Sequence, residues 1–283
     1  MEGNDNDMLH QVLDICVDYR KAGVDPIGFQ PTLACYVPDV SPEIDAELRR
    51  PAVLVCPGGG YHFTSDREAE PIALAFAARG IAAFVLRYSV APMRFPGALL
   101  EACEAVAVIR RHAADWRLDP AKIAVCGFSA GGHLAGSVGV HWNHGFVKDA
   151  LGYRAGEHRP NALLLCYAVL SARADARQED SYRNLFGGAP TEAECELTSC
   201  ERQVSADTPP CFLWHTCDDP VVPASNSLVF AEALSAAGVP FELHVYPHGQ
   251  HGLALANAVT GAFAVEPDCQ DWPDRAARWL QNL

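Results

Sequence analysis

Short apolar runs alternate with segments of helical periodicity along most of this chain. The apolar runs are bounded by turn-forming residues, and they predict β-strands at residues 52–56, 81–88, 122–126, 161–169, 210–216 and 241–247. Between the strands, apolar residues spaced by three and four positions predict helices at residues 67–80, 97–116, 130–142, 224–238 and 271–283. Continuous apolar strands separated by helices are typical of a mostly parallel sheet with helices on both faces, so the predicted fold class is α/β.

Two segments fall outside this alternation. Residues 1–50 are expected to add a helix and one or two strands at an edge of the sheet. Residues 170–208 are polar and irregular, and they lie between strands whose carboxyl ends carry the motifs described below; a lid or substrate-recognition insertion and a plain surface loop both fit. Because 283 residues, 49% of them hydrophobic, suffice for one large core, we expect a single domain over residues 1–283.

Charge and cysteine usage narrow the classes of partner and compartment. The chain has 35 acidic and 21 basic residues, a formal net charge of -14, which would repel nucleic acid and anionic membranes. It shows neither an export signal at its start nor an apolar stretch long enough to span a bilayer. Its 11 cysteines lie mostly within apolar runs, as buried thiols of a reducing compartment would. We therefore expect a cytoplasmic protein without metal or cofactor; its oligomeric state, a homo-oligomer included, is left open.

The stretch CGFSAGGH, residues 126–133, sets a serine between two glycines where a predicted strand meets a predicted helix. A nucleophile elbow requires this strand, turn and helix, because the sharp turn exposes the serine hydroxyl at the end of the sheet. The flanking glycines allow the strand and the helix to approach without a side-chain clash. Ser129 is therefore the candidate nucleophile.

A serine nucleophile needs a base to take its proton and an acid to orient that base. Asp218 and Asp219 directly follow one predicted strand, and His248 and His251 follow the last one. Either acid and either histidine satisfy the chain order Ser, Asp, His. His133, on the helix after the elbow, is instead expected to make a structural hydrogen bond. The residues alone leave the choice within each pair open.

A glycine turn, CPGGGYH, follows the strand at residues 52–56. Gly59 and Gly60 can direct their backbone amides at a negatively charged oxygen, and Ala130, the residue after the serine, would supply a further N–H. A phosphate cradle is the alternative, but the chain has neither the lysine motif of a P-loop nor a G-x-G-x-x-G. The pattern therefore favours an oxyanion hole for acyl transfer.

Together these motifs resemble the acetyl-xylan-esterase-like carbohydrate esterases of the α/β-hydrolase superfamily, a group that also contains feruloyl esterases. The resemblance runs from about residue 50 onward and rests on PGGGYHFTSDREAEPIA, FVLRYSV, LDPAKIAVCGFSAGGHLA, PPCFLWHTCDDPVVPASNSLVFAEAL and HVYPHGQHGLAL. It implies a nucleophile, acid and base at Ser129, Asp219 and His251, and oxyanion donors at Gly59, Gly60 and Ala130. Asp218 is then expected to accept hydrogen bonds within its own turn.

The resemblance implies a serine esterase that removes short acyl groups, chiefly acetyl, from carbohydrates such as acetylated xylo-oligosaccharides, through an acyl-enzyme on Ser129. Feruloyl esterase, arylformamidase or small-amide hydrolase activity would use the same triad, and a non-catalytic binding protein on the same scaffold is a further alternative. Bulk at Phe128 and at the tyrosine of the glycine turn would favour short acyl chains. The side chains expected to line the substrate pocket are Tyr61, His62, Arg67, Val221 and Val222.

Overall fold

The computed structural model describes residues 7–153 and 156–283. The strands of this part of the chain are β1 (Leu9–Asp14), β2 (Thr32–Val37), β3 (Arg50–Cys56), β4 (Ala82–Arg87), β5 (Leu118–Phe128), β6 (Ala162–Cys166), β7 (Cys211–Thr216) and β8 (Phe241–Tyr246). They form one sheet in the order β1-β2-β4-β3-β5-β6-β7-β8. Strand β2 pairs antiparallel with β1 and β4, while the other neighbouring pairs are parallel. The predicted α/β class with a mostly parallel sheet is confirmed.

The helices of the described residues follow the predicted alternation and add several short ones. They are α1 (Pro42–Asp45), α2 (Glu70–Ala77), α3 (Gly97–Arg111), α4 (Ser129–His141), α5 (Gly145–Leu151), α6 (Glu179–Phe186), α7 (Glu192–Thr198), α8 (Cys200–Gln203), α9 (Ser225–Ala236) and α10 (Trp272–Gln281). The five helices predicted from periodicity correspond to α2, α3, α4, α9 and α10. None of the described helices combines enough length with enough apolar character to span a bilayer.

The sheet has a hydrophobic core on each face, because successive residues of its strands point to opposite sides. On β3, Leu54 belongs to the core that contains Leu134 of α4. The preceding residue, Val53, belongs to the other core, which contains Phe76 of α2 and Trp272 of α10. Strands buried on both faces are apolar at most positions, which is why they are visible as nearly continuous apolar runs in the sequence.

The N-terminal segment supplies the edge of the sheet, where β1 pairs with β2 from Leu9 opposite Val37 onward. The helix expected in this segment is reduced to a 3₁₀ turn at Tyr19–Ala22 and the four-residue α1. The Tyr19 hydroxyl donates to Oε1 of Glu101 in α3 at 2.7 Å. This bond ties the edge segment to the helical layer on the sheet.

Residues 170–208 contain α6, α7 and α8, so the expectation of an irregular segment is wrong. The three helices are 8, 7 and 4 residues long, too short to show the apolar periodicity of a packed helix. A capping box starts α7, in which the Thr191 side chain accepts from the Glu194 amide and the Glu194 carboxylate accepts from the Thr191 amide. The sequence does contain a signal for this helix start, the pattern T-x-x-E.

The cysteines behave as small buried hydrophobes. All 11 are free thiols, and only Cys16 and Cys217 are exposed. Cys56 and Cys126 lie on the neighbouring strands β3 and β5, and burial raises the pKa of both thiols above the usual value. Protonated thiols at these positions serve packing and carry no reactivity.

Candidate active site

The candidate nucleophile lies where β5 runs directly into α4. Ser129 is the first residue of α4, and its φ of 53° is a left-handed conformation that a non-glycine residue adopts only under strain. A Cβ on Gly131 would lie 2.2 Å from the carbonyl oxygen of Cys56, and a Cβ on Gly127 would lie 2.1 Å from the carbonyl oxygen of Gly131. Glycine at both positions therefore lets the helix close against the end of the sheet, which presents the serine hydroxyl at its carboxyl edge.

Ser129, His251 and Asp219 form a continuous chain of hydrogen bonds. The Ser129 Oγ lies 2.8 Å from Nε2 of His251, and Nδ1 of the same ring lies 2.7 Å from Oδ2 of Asp219. An imidazole that donates its Nδ1–H to a carboxylate keeps Nε2 free to accept the serine proton. The arrangement fits a base poised beside a hydroxyl nucleophile.

The Asp219 carboxylate is held by a shell of donors. Its side chain is fully buried, and Oδ1 accepts hydrogen bonds from the amides of Val221 and Val222, each at 2.9 Å. Burial opposes ionisation, but hydrogen bonds with His215 and His251 outweigh it and hold the pKa of Asp219 well below its usual range. The carboxylate is therefore an anion at any pH where the histidine can act as a base.

His215 is a member of this shell that the motif analysis missed. Its Nε2 lies 2.9 Å from the carbonyl oxygen of Val222 and 3.5 Å from Oδ2 of Asp219, and the Ser227 hydroxyl lies 2.8 Å from its Nδ1. The side chain is completely buried in β7. The sequence does contain a signal for this role: a histidine lies within a mostly apolar strand, four residues before the acid.

The second acid and the second histidine pair with each other instead. Oδ2 of Asp218 lies 3.0 Å from Nδ1 of His248, and Oδ1 accepts from the Gly249 amide at 2.7 Å. Both side chains are exposed. The expectation that Asp218 bonds within its own turn is wrong, because the loop after the neighbouring strand β8 offers it the His248 ring and the Gly249 amide as partners.

In the glycine turn after β3, the carbonyl groups of Gly59 and Gly60 are hydrogen-bonded and their amides are free. The Gly59 oxygen accepts from the His62 amide at 2.9 Å, and the Gly60 oxygen accepts from the Asn184 side chain at 2.8 Å. Within the described residues, no acceptor bonds to the amides of Gly59 or Gly60. Ala130 is the second residue of α4, so its amide has no acceptor within the helix. In the part of the chain that the structure describes, the three predicted oxyanion donors therefore have no acceptor.

A cavity of about 530 Å³ opens above Ser129 and His251. Of the predicted lining residues, His62, Arg67 and Val221 do line it. Arg67 is held in place by a bond of its Nη1 to the Gly252 carbonyl oxygen at 2.7 Å. Phe63, Ser65 and Glu68 add to the wall. Five further lining residues come from the segment at residues 170–208, for which the sequence allows either a lid or a surface loop: Gln178, Asp180, Ser181, Arg183 and Asn184.

Tyr61, Val222 and Phe128 do not line this cavity, and their predicted roles there are wrong. Tyr61 has a φ of 55°, which turns its side chain inward, and its hydroxyl lies 2.8 Å from Nδ1 of His133. Val222 and Phe128 are completely buried, the latter against Trp272. His133 makes the structural hydrogen bond expected of it. Neither Tyr61 nor Phe128 can therefore restrict the length of the acyl chain.

The described side chains form no cluster suited to a metal ion. Over residues 7–153 and 156–283, no three His, Cys, Asp or Glu side chains converge as a metal-binding group. The chemistry that the described site can perform on its own is proton transfer from a serine hydroxyl and stabilisation of an oxyanion by backbone amides.

The sequence profile of the BD-FAE family matches residues 39–234, a range that contains the glycine turn, the elbow and the loop of Asp219. The chain belongs to the BD-FAE family of α/β-hydrolases. In this BD-FAE chain, His251 lies beyond the matched range and is contributed by the loop after the last strand.

Two curated relatives are similar over most of the BD-FAE chain. Endo-1,4-beta-xylanase B of Butyrivibrio fibrisolvens is 39% identical over 235 residues, which are 81% of this chain and 36% of that protein. Acetylxylan esterase of Xylanibacter ruminicola is 28% identical over 211 residues, which are 72% of this chain and 41% of that protein. The chain therefore spans less than half the length of these two relatives.

One solved structure covers both chains almost entirely. The acetyl ester-xyloside bifunctional hydrolase from Caldicellulosiruptor lactoaceticus superposes with a TM-score of 0.83 and is 36% identical. The match covers 99% of this chain and 98% of that one. The α/β-hydrolase fold is thus shared over the whole described sheet.

Proposed function

We propose that this BD-FAE protein is a serine esterase that removes short acyl groups, chiefly acetyl, from carbohydrates such as acetylated xylo-oligosaccharides. The observation that carries the proposal is the chain of hydrogen bonds from Ser129 through His251 to Asp219 at the floor of an open cavity. The names of the Xylanibacter ruminicola and Caldicellulosiruptor lactoaceticus relatives support an acetylated carbohydrate as the substrate class.

In the first half-reaction, the Ser129 oxygen attacks the ester carbonyl carbon while its proton passes to Nε2 of His251. The Asp219 carboxylate stabilises the imidazolium that forms, without taking a proton itself. When the tetrahedral intermediate collapses, the bond between the carbonyl carbon and the sugar oxygen breaks. His251 gives its proton to that oxygen, and the acyl group remains on Ser129. Water then repeats the sequence with the acyl-enzyme and releases the carboxylic acid.

The oxyanion of each tetrahedral intermediate needs preorganised donors. The unpaired amides of Gly59, Gly60 and Ala130 are the candidates, since they flank the nucleophile and have no other acceptor to give up. Removing one such donor from a serine hydrolase typically costs about 10²–10³-fold in kcat.

The cavity wall suits a neutral alcohol with many hydroxyl groups. Arg67 and Arg183 are accompanied by Asp180, and Gln178 and Asn184 add amide groups, so donors and acceptors are both present. A sugar hydroxyl is at once a donor and an acceptor, so it can pair with either kind of group. A long aliphatic alcohol would cover these polar side chains and offer them no hydrogen bonds in place of those to water.

The test is the release of acetate from acetylated xylo- and manno-oligosaccharides by the wild-type protein and by Ser129→Ala. We expect the wild type to release acetate, the variant to remain folded and inactive, and a serine-directed phosphonate to label Ser129 alone. The names of the two relatives point to acetyl groups, so p-nitrophenyl acetate should be hydrolysed faster than the octanoate, and N-formylkynurenine should be a poor substrate. Faster cleavage of N-formylkynurenine than of any acetylated sugar would replace the proposal with an amide hydrolase.

A further inference from the structure

A buried carboxylate lies between the glycine turn and the loop of His251. Glu68 ends a 3₁₀ turn at Asp66–Glu68 and is 3% exposed. Its Oε2 accepts from the Gly58 amide at 2.8 Å, and its Oε1 accepts from the Tyr167 hydroxyl at 2.7 Å. Burying a carboxylate is costly unless donors replace its water, and here each oxygen has one. The proton-transfer chain of the proposed mechanism does not use this group.

The Tyr167 end of this link reaches the catalytic base. The tyrosine hydroxyl, besides donating to Glu68, accepts from the Ala254 amide at 2.9 Å. Its ring stands edge-on to the His251 ring, with 5.1 Å between centroids and 72° between planes. Tyr167 and Ala254 have φ values of 36° and 54°, a conformation that non-glycine residues keep only where the surroundings enforce it. The hydrogen bonds of the Tyr167 hydroxyl with Glu68 and Ala254 connect these two residues to the carboxylate.

The Gly58 end reaches the oxyanion donors and the nucleophile. A Cβ on Gly58 would lie 2.8 Å from Oε2 of Glu68 and 3.0 Å from Cβ of Ser129, so the carboxylate and the serine both pack closely against Gly58. The Gly58 carbonyl oxygen accepts from the Ser65 amide at 2.9 Å. With both its amide and its carbonyl bonded, Gly58 has a fixed orientation, and that orientation aims the next amide, that of Gly59.

We propose that Glu68 is a positioning residue that sets the distance between the oxyanion donors and the base. One rigid carboxylate holds the turn of Gly58 on one side and, through Tyr167, the loop of His251 on the other. Electrostatic stabilisation of an oxyanion depends on donors placed before the reaction begins, and a displacement of about 1 Å can cost about 10²-fold in rate. The inference rests on the proposed function, since oxyanion donors matter only if Ser129 attacks a carbonyl group.

The substitution Glu68→Gln tests the link with almost no change in shape. Both partners of Glu68 are donors, so an amide NH₂ in place of one oxygen faces a donor, and one of the two bonds must rearrange. Glu70→Gln is the matched control. Glu70 lies two residues further, is exposed, and accepts from the Tyr36 hydroxyl at 2.9 Å, away from the cavity. Like Glu68, Glu70 accepts a hydrogen bond from a tyrosine hydroxyl, but it has no connection to the site.

We expect Glu68→Gln to lower kcat on p-nitrophenyl acetate by about 10- to 100-fold, with KM changed less than 2-fold. Affinity for a trifluoromethyl ketone, which forms a tetrahedral adduct with the serine, should fall by the same factor as kcat/KM. Glu70→Gln should leave all three values unchanged. A residue that only supports the fold would lower the melting temperature without this parallel loss of kcat and inhibitor affinity.

A second variant, Tyr167→Phe, keeps the ring beside His251 and removes the hydroxyl. Because it breaks the same link, its effect on kcat should combine with that of Glu68→Gln less than additively in the double variant. Unchanged kcat and inhibitor affinity in Glu68→Gln, or full additivity in the double variant, would overturn the inference. If Glu68→Gln does not fold, unchanged values in Tyr167→Phe overturn it alone. Residual activity in Ser129→Ala would instead refute the proposed function, so the two failures are distinct.

Discussion

Asp218 and Asp219 are adjacent in the chain, but their carboxylates bond to different histidines of one loop. Oδ2 of Asp219 lies 2.7 Å from Nδ1 of His251, whereas Oδ2 of Asp218 lies 3.0 Å from Nδ1 of His248. The side chain of Asp219 is fully buried, and that of Asp218 is 53% exposed. Two parallel acid–histidine pairs thus link the loops after β7 and β8, and one of them also reaches the serine.

This difference predicts opposite results for two matched substitutions. Asp219→Asn removes the acceptor that selects the productive tautomer of His251, and the equivalent change in a serine protease costs about 10⁴-fold in kcat. Asp218→Asn weakens an exposed pair that is screened by solvent, so kcat should remain within about 3-fold of the wild type. Steady-state hydrolysis of p-nitrophenyl acetate measures the kcat of both variants. The opposite order would move the acid to Asp218.

The two histidines of the same loop should separate in the same way. His251→Ala removes the only imidazole within hydrogen-bonding distance of the Ser129 Oγ among the described residues, at 2.8 Å, and should abolish turnover. His248→Ala should keep most of the activity, because that side chain is 76% exposed and bonds to Asp218. Labelling by a phosphonate gives an independent measure, since serine reactivity needs the base. Loss of labelling in His248→Ala but not in His251→Ala would contradict the assignment.

The elbow and the order of the acid and base loops were predictable because each motif lies within one short stretch of the sequence. A strand, a G-x-S-x-G turn and a helix follow one another within residues 122–142, and the loops after β7 and β8 begin where their apolar runs end. The choice between the neighbouring acids could not be made from the sequence. It depends on the direction of each side chain within one turn, and the residues alone left Asp218 and Asp219 equivalent.

The cavity wall could not be predicted, because it depends on contacts between distant segments. Tyr61 was expected in the wall, but its backbone conformation turns it toward His133, 72 residues away. The helix α6 enters the wall through contacts such as Asn184 with Gly60, which no periodicity reveals. Glu68 was hidden for the same reason, since its partner Tyr167 is 99 residues distant.

The closeness of α4 to the glycine turn predicts that Gly131→Ala is damaging. The added Cβ would meet backbone carbonyl oxygens of Cys56 at 2.2 Å and Pro57 at 2.3 Å, so the helix or the turn must shift. Overpacking of this kind costs about 1–3 kcal/mol, and the shift also separates Ser129 from the oxyanion donors. We expect a lower melting temperature and at least a 10-fold loss of kcat.

Gly145→Ala provides the control, because a Cβ on Gly145 meets nothing within 4 Å. It lies at the start of α5, where alanine is the better helix former. The melting temperature of Gly145→Ala should equal or exceed that of the wild type, and its kcat should be unchanged. A Gly131→Ala protein with wild-type kcat would show that the helix and the turn can separate without effect on the reaction.

The buried side chain of His133 should make the protein less stable in acid. His133 is 1% exposed, with the Tyr61 hydroxyl 2.8 Å from Nδ1 and the Thr198 carbonyl oxygen 2.9 Å from Nε2. A carbonyl accepts only, so Nε2 carries the proton and Nδ1 accepts from the tyrosine, which requires a neutral ring. Burial lowers the pKa of His133 from 6.5 to about 4. Protonation therefore favours the unfolded chain.

Proton linkage determines whether the stability rises or falls with pH. Because the pKa is lower in the folded state, the stability contributed by neutral His133 is fully present above pH 6.5 and is lost as the pH falls toward 4. Between pH 7.5 and 4.5 the loss should reach about 2 to 3 kcal/mol. In His133→Gln, which cannot titrate, urea unfolding should show a correspondingly smaller decrease over this range. Part of the decrease should persist, because the pKa of buried His141 is also lowered to about 4. An equal decrease in the wild type and the variant would show that His133 takes up no proton on unfolding.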